Sequence, residues 1–239
     1  MLPKIGIIIQ ARLGSKRLPK KILKKINHYS LIEWVVNRCK KSYLKKNIII
    51  ASPKKDELLI KKIAKKLNVK AFFGSENNVL NRYYNASKTY NYNAFVRVCS
   101  DNPFVDGEEI NHLLDEYIKD RQKKYEYFFN HRNYESITFP DGFGAELIRF
   151  NSLKKINNKK ISKYHKEHVT AYIWDNLDKF KTKVCKTSIE KKYHYVKLDI
   201  DNYDDLKRIK KFVKKNKINI SHKAQTIIKK FCKFKKNLN

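Results

Sequence analysis

Residues 10–23, QARLGSKRLPKKIL, place five cations around one glycine. Arg12, Lys16, Arg17, Lys20 and Lys21 flank Gly14–Ser15, directly after the apolar run 5–9. Two common phosphate loops are excluded by composition. The dinucleotide fingerprint needs GxGxxG, and Gly14 is the one glycine here. A Walker A loop needs a glycine five positions before Gly14 and a hydroxyl residue after Lys16, and neither is present. What remains is a tight turn whose backbone N–H groups can face an anion, with cations standing in for missing glycines and Pro19 stiffening the segment. That chemistry suits a triphosphate. A solvated basic turn is the competing reading of the loop taken alone.

A bound triphosphate asks a protein for placement and charge neutralisation. Mg²⁺ is held through one or two carboxylates plus the phosphates of the substrate. Asp101 ends one strand-like segment, and Asp201 lies just past another. They are the candidate metal pair, a hundred residues apart, so only the fold can join them. Asp101 could instead cap a turn before Pro103. Asp201 could be one turn residue of an acidic run with Asp199, Asp204 and Asp205, and a one-position shift would favour Asp199 as the ligand. Asp205 is expected to cap or pair on the last helix.

The elements that must position these groups follow from periodicity. Lys4–Gln10, Asn47–Ser52, Val69–Phe73 and Ala94–Ser100 are short apolar runs that predict buried strands. Between and after them, Leu31–Cys39, Asp56–Leu67, Asn78–Tyr90 and Glu108–Asp120 carry helical spacing. Four strand–helix alternations predict an α/β fold with a mostly parallel sheet and helices on both faces. Ligands bind such sheets at the carboxyl ends of strands, where the opening loop and Asp101 both fall. The second half is less regular. It predicts strands at Tyr127–Asn130, after the turn in 139–148, and at Val196–Ile200, one helix over His165–Asn176, and two basic helical stretches after Asp204. The chain reads as one domain, 1–239: a nucleotide half (1–125), an acceptor and dimerisation half (126–206) and a basic helical region (207–239).

Size and composition remove other classes. A chain of 239 residues buries roughly 70–75% of its unfolded surface and needs no disulfide or metal to fold. Cys39, Cys99, Cys185 and Cys232 form no metal-like pair and are expected to be reduced thiols. No apolar stretch is long enough to span a membrane. The start of the chain carries no signal sequence, so a cytoplasmic location is expected. The net charge of +32 invites a nucleic-acid reading, but nine of the 55 basic residues are arginine. Specific nucleic-acid sites favour arginine. Lysine spread along the whole chain reads as solvated surface, which helps attract an anionic substrate.

With those residues in view, the opening segment IIIQARLGSKRLPKKIL resembles that of the cytidylyltransferases of the spore-coat polysaccharide type, QARxGSxRLPxKxL. This family is related to the synthetases of CMP-activated ulosonic and sialic acids. The likeness continues in order through FGSENNVLNRYYNAS (73–87), FVRVCSDNPFVDGEEI (95–110), FPDGFGAELI (139–148), HKEHVTAYI (165–173) and KLDIDNYDDL (197–206). The resemblance implies a Rossmann-like nucleotide-diphospho-sugar transferase fold. It implies transfer of CMP from CTP to an acidic sugar, with pyrophosphate released, in a homodimer. It places Ala11, Arg12, Gly14, Ser15, Arg17, Lys21, Arg82 and Arg97 at the nucleotide, with Arg12, Lys21 and Asp101 catalytic. It places Mg²⁺ on Asp101 and Asp201, and the acceptor near Asp141, Glu146 and His168. Arg97 could instead form a strand-end ion pair, and Glu167 with His168 a supporting polar pair. Two departures stand out: Asn78 replaces a common aspartate, and Gly144 replaces a second one in the acceptor motif. Base choice rests on the resemblance, so another nucleotide with a sugar phosphate is the alternative, and a non-enzymatic nucleic-acid-binding protein the second.

Overall fold

The computed structural model describes residues 3–135 and 139–236. In chain order the elements are β1 (Ile5–Gln10), β2 (Lys25–Ile26), β3 (Tyr29–Ser30), α1 (Leu31–Cys39), β4 (Ile48–Pro53), α2 (Glu57–Lys66), β5 (Lys70–Gly74), α3 (Val79–Thr89), β6 (Ala94–Cys99) and α4 (Gly107–Lys119). They continue with β7 (Tyr127–Phe129), β8 (Glu146–Arg149), α5 (Phe150–Asn157), α6 (Lys163–Glu167), α7 (Ala171–Trp174), β9 (Thr182–Val184), α8 (Tyr203–Lys215) and α9 (Ala224–Lys236). Seven strands form one sheet in the order β5-β4-β1-β6-β8-β7-β9. β8 alone runs against its neighbours β6 and β7. The α/β, mostly parallel expectation holds, and one sheet continues through both halves of the chain.

Strand periodicity explains the layers. In β1, Ile5, Ile7 and Ile9 enter a core with α1, α2 and α4. Ile8 points the other way, into a core with α3 and α5. All four are buried, so the strand reads as a continuous apolar run. A third core joins α8 and α9 to Leu18, Trp34, Phe104 and Phe143. Its anchor is Arg38, whose Nη1 donates to the carbonyls of Ile220 (3.1 Å) and His222 (2.7 Å). Arg38 Nη2 pairs with buried Asp106 at 3.1 Å, and Asp106 also accepts from Ala224 N at 2.6 Å. The basic carboxyl-terminal helices are thus pinned to α1 and the start of α4 through the buried Arg38–Asp106 pair.

Two expectations of the second half are corrected. The single helix over His165–Asn176 is two short helices, α6 and α7. His168 leaves helical geometry at φ −103°, ψ 87°, and Val169 and Thr170 turn inward as buried residues. The strand expected at Val196–Ile200 is an extended segment with one parallel bridge, Asp141 to Lys197. Three elements had no counterpart in the sequence reading: the β2–β3 hairpin, α5 and β9.

Candidate active site

The opening loop leaves β1 with its register intact, since Ala11 N still donates to Ala51 O at 3.1 Å. Asp56, ahead of α2, then accepts from Leu13 N at 2.9 Å and ties the loop to the next strand–helix junction. Ser15 N donates to Leu13 O (2.9 Å), and Ser15 Oγ accepts from Leu18 N (3.3 Å). The Ser15 amide is therefore satisfied inside the loop. Lys20 adopts a left-handed conformation, φ 52°, and redirects the chain into the short turn Lys21–Leu23. The ion pair of Lys55 with Glu76 borders Gly14.

Two backbone hydrogen bonds bring the distant carboxylates together. Ser100 N donates to Gln10 O at 3.2 Å, holding the end of β6 beside the loop. Ile200 N donates to Asp101 O at 3.0 Å, which fastens the segment before α8 to the same strand end. Asp201 is then fixed by the α8 cap, its N–H donating to Asp205 Oδ2 at 3.0 Å. Asn202 and Asp205 form a capping box there, as expected of Asp205.

Lys21 Nζ sits where these groups converge. It lies 3.2 Å from Asp101 Oδ2, 3.6 Å from Asp201 Oδ1 and 2.9 Å from the carbonyl of Ile200. Arg17 Nη2 reaches the same Asp201 Oδ1 at 3.0 Å. Arg12 Nη2 crosses to Glu167 Oε1 at 3.3 Å. Three loop cations thus meet three carboxylates from other parts of the chain. Hard oxygen donors converging on one ammonium also fit a magnesium ion, which asks for one or two carboxylates beside substrate phosphates. Among the described residues, no cluster of three or more His, Cys, Asp or Glu could hold a metal unaided.

Arg82 is fully buried. Its Nη1 donates to Ser75 O at 2.5 Å, while Nε and Nη2 have no hydrogen-bond partner among the described residues. Burial holds its pKa below the usual guanidinium value, and Arg12 lies close enough to add repulsion. Asn78 is the N-cap of α3, accepting from Asn81 N at 3.0 Å.

The residues expected near an acceptor are arranged differently. Glu146 is buried and takes an ion pair from Arg97 and hydrogen bonds from the Tyr127 hydroxyl and Thr170 Oγ1 (3.3 Å). Burial opposes its charge, yet Arg97, then His131 and Tyr127, hold its pKa below the ordinary carboxylate value. Arg97 is therefore engaged within the fold. Asp141 and His168 are exposed, the His168 ring packing 4.7 Å from that of Tyr164. Asp199 is mostly buried beside Lys197 (3.5 Å), and burial followed by Asp141 pushes its carboxyl up to about 6. Gly144 is more than a missing carboxylate, because a Cβ there would lie 2.1 Å from Asn130 O. The sequence reading missed Asp56 as a loop anchor and Arg12 as Glu167's partner. The first carries no local signal, and the second is a contact across 155 positions.

With this geometry in hand, the chain was compared with known proteins, and residues 6–233 match the cytidylyltransferase family. The chain belongs to that family. It is 36% identical over 205 residues to an uncharacterised protein of Methanocaldococcus jannaschii, covering 85% of this chain and 81% of that one. It is 28% identical over 217 residues to the spore coat polysaccharide biosynthesis protein SpsF of Bacillus subtilis, covering 88% and 87%. A solved cytidylyltransferase of Leptospira borgpetersenii superposes with a TM-score of 0.87 at 27% identity, over 99% of this chain and 96% of that one. This cytidylyltransferase-family chain is thus a nucleotidyltransferase with a Rossmann-like sheet. No described helix is long and apolar enough to cross a membrane.

Proposed function

We propose that this protein transfers CMP from CTP to an acidic sugar of the ulosonic or sialic type, releasing pyrophosphate, for surface polysaccharide or glycan synthesis. The observation that carries this reading is the convergence of Lys21, Arg17, Asp101 and Asp201 at the carboxyl end of the sheet. An acceptor oxygen attacks the α-phosphorus in line, and the bond to pyrophosphate breaks as charge builds on the leaving group. Arg12, Arg17 and Lys21 neutralise the β- and γ-phosphates, preorganised for that charge. Arg82 contributes its two unpartnered nitrogens at the same end of the sheet. Asp101 and Asp201 hold Mg²⁺, which supplies Lewis-acid stabilisation of phosphate oxygens when bound.

We place the acceptor on the side of Asp141 and His168, with Glu146 and Arg97 shaping that wall from within. We read the chain as one domain, acting in the cytoplasm as a homodimer. Thermal stabilisation by CTP, UTP, GTP and ATP, each with and without Mg²⁺, tests the nucleotide. CTP-selective stabilisation, strengthened by Mg²⁺ and altered by Asp101→Ala, is expected. Equal shifts with every polyanion, pyrophosphate included, overturn the reading. Pyrophosphate release with a panel of ulosonic and sialic acids then tests the acceptor.

A further inference from the structure

We propose that Lys21 and the divalent metal compete for the same carboxylates, and that the triphosphate decides the competition by drawing the lysine away. Metal binding is then weak until nucleotide arrives. This rests on the nucleotide-binding reading above and adds an order and an energetic coupling to it.

The geometry is specific. Three oxygens, Asp101 Oδ2, Asp201 Oδ1 and Ile200 O, surround Lys21 Nζ at 3.2, 3.6 and 2.9 Å. The lysine side chain is 13% exposed, so this is an enclosed cation position and not a surface encounter. Two of the ammonium's donors are taken by Asp101 Oδ2 and the Ile200 carbonyl, and Asp201 Oδ1 stands at ion-pair distance beside them. A magnesium ion needs oxygens at about 2.0–2.1 Å in octahedral geometry. It cannot take these carboxylate oxygens while a second cation stays between them. Arg17 tightens the competition, since its Nη2 reaches the same Asp201 Oδ1 at 3.0 Å.

Both competing cations belong to the loop that faces the triphosphate. Lys21 carries its charge on a flexible four-carbon stem. The Arg17 side chain is 67% exposed, and such pairs contribute little on their own. Transfer of both cations from carboxylate to phosphate costs little at the solvated Arg17 and, at the enclosed Lys21, exchanges one set of anionic oxygens for another. It leaves two bare carboxylates that demand a new cation, beside phosphate oxygens that complete its coordination. Linkage makes the effect reciprocal: whatever factor nucleotide adds to metal affinity, metal adds to nucleotide affinity. A factor on the order of 10–100 lies within the ordinary range of such couplings.

The test uses the full-length protein with Mn²⁺ as the probe, bound Mn²⁺ being read by electron paramagnetic resonance. Without nucleotide, Lys21→Met is expected to bind Mn²⁺ about tenfold more tightly than the wild type. Lys21→Arg, which keeps the charge, is expected to stay weak. Asp101→Asn is expected to remove the gain in the Lys21→Met background. Equal or weaker binding by Lys21→Met, in protein whose melting curve is intact, overturns the proposal. A wild-type measurement covers the case of a poorly folded variant. Acetylation of Lys21 by acetic anhydride, followed by mass spectrometry, should rise as Mg²⁺ is added, because the metal ejects the ammonium from its oxygens. Unchanged labelling at saturating Mg²⁺ also overturns it. Neither readout contains CTP. A protein that shows this competition but fails to bind CTP would sink the nucleotide assignment and leave the cation exchange standing.

Discussion

Two arginine–carboxylate pairs in this protein have opposite characters. Arg17 and Asp201 meet at 3.0 Å with the arginine side chain 67% exposed. Arg97 and Glu146 meet with side chains 15% and 2% exposed, and Glu146 is further bound by Tyr127 and Thr170. The first pair is solvated, weak and exchangeable. The second is enclosed, and each partner needs the other to offset lost hydration. Family position alone put both arginines at the nucleotide. Depth separates them: an arginine free to change partners can receive a phosphate, and one locked to a buried carboxylate holds up a wall.

The comparison is broken most forcefully at Glu146. Glu146→Ala leaves Arg97 buried without its counter-charge, a loss of about 3–5 kcal/mol. For a chain of this length that is a drop in Tm of roughly 6–20 °C, read by calorimetry. Replacing Arg97 and Glu146 together by Met and Leu should cost far less than either single change, because no unpaired charge remains. A Glu146→Ala protein that melts normally but loses only acceptor affinity would reverse the assignment and make Glu146 a direct acceptor ligand.

At the exchangeable side, Asp101→Ala should lower kcat by about 10²–10³-fold, in the range of lost electrostatic stabilisation of a transition state. Its Tm should stay near that of the wild type, since Asp101 is partly exposed and Lys21 keeps the Ile200 carbonyl and Asp201 as partners. Near-normal turnover would sink the metal assignment. Arg17→Ala should have a smaller effect. It should raise KM for CTP by roughly five- to tenfold, steeper at low salt, with stability changed by about 0.5 kcal/mol or less. A kcat loss as large as that of Asp101→Ala would show that Arg17 acts on the reacting phosphate itself.

The contrast also explains what could be read before the fold was known. The parallel half was legible because β1, β4 and β6 are apolar runs with helical spacing between them, and buried strands need little else. Asp101 and Asp201 were legible as types at strand ends, although the Ile200–Asp101 hydrogen bond that joins them is a backbone contact. The break at His168 was not legible, because Val169 and Thr170 fit a helical pattern until Thr170 is seen bonded to Glu146. The depth of Glu146 was hidden too. A glutamate beginning a strand looks solvated, and only the pairing of β8 between β6 and β7 encloses it. Gly144 looked like a deletion of charge, whereas the nearby Asn130 carbonyl leaves no room for any side chain.

The smallest effect tests whether an ion pair of intermediate depth behaves like either extreme. His112 Nδ1 lies 3.7 Å from Glu109 Oε2, with the histidine 28% exposed and the glutamate fully buried. Glu109 also accepts from Ser188 N at 2.9 Å and Asn130 Nδ2 at 3.1 Å, so it keeps partners when the histidine changes. Glu109 raises the His112 pKa above its ordinary value, with burial opposing. A raised folded pKa means the histidine's contribution is complete below its unfolded pKa, near 6.5. It is lost as pH rises through the higher folded value. Glu109 itself is held below the usual carboxylate range, so it stays ionised throughout that window and adds no slope there. The wild type should therefore lose stability relative to His112→Asn between about pH 6 and pH 8, by at most about 1 kcal/mol. Parallel Tm profiles for the two proteins across that window would show that Glu109 is satisfied by its other partners and that the pair is energetically silent. A difference well above 1 kcal/mol would place it instead with Arg97 and Glu146, among the pairs whose charges the fold cannot release.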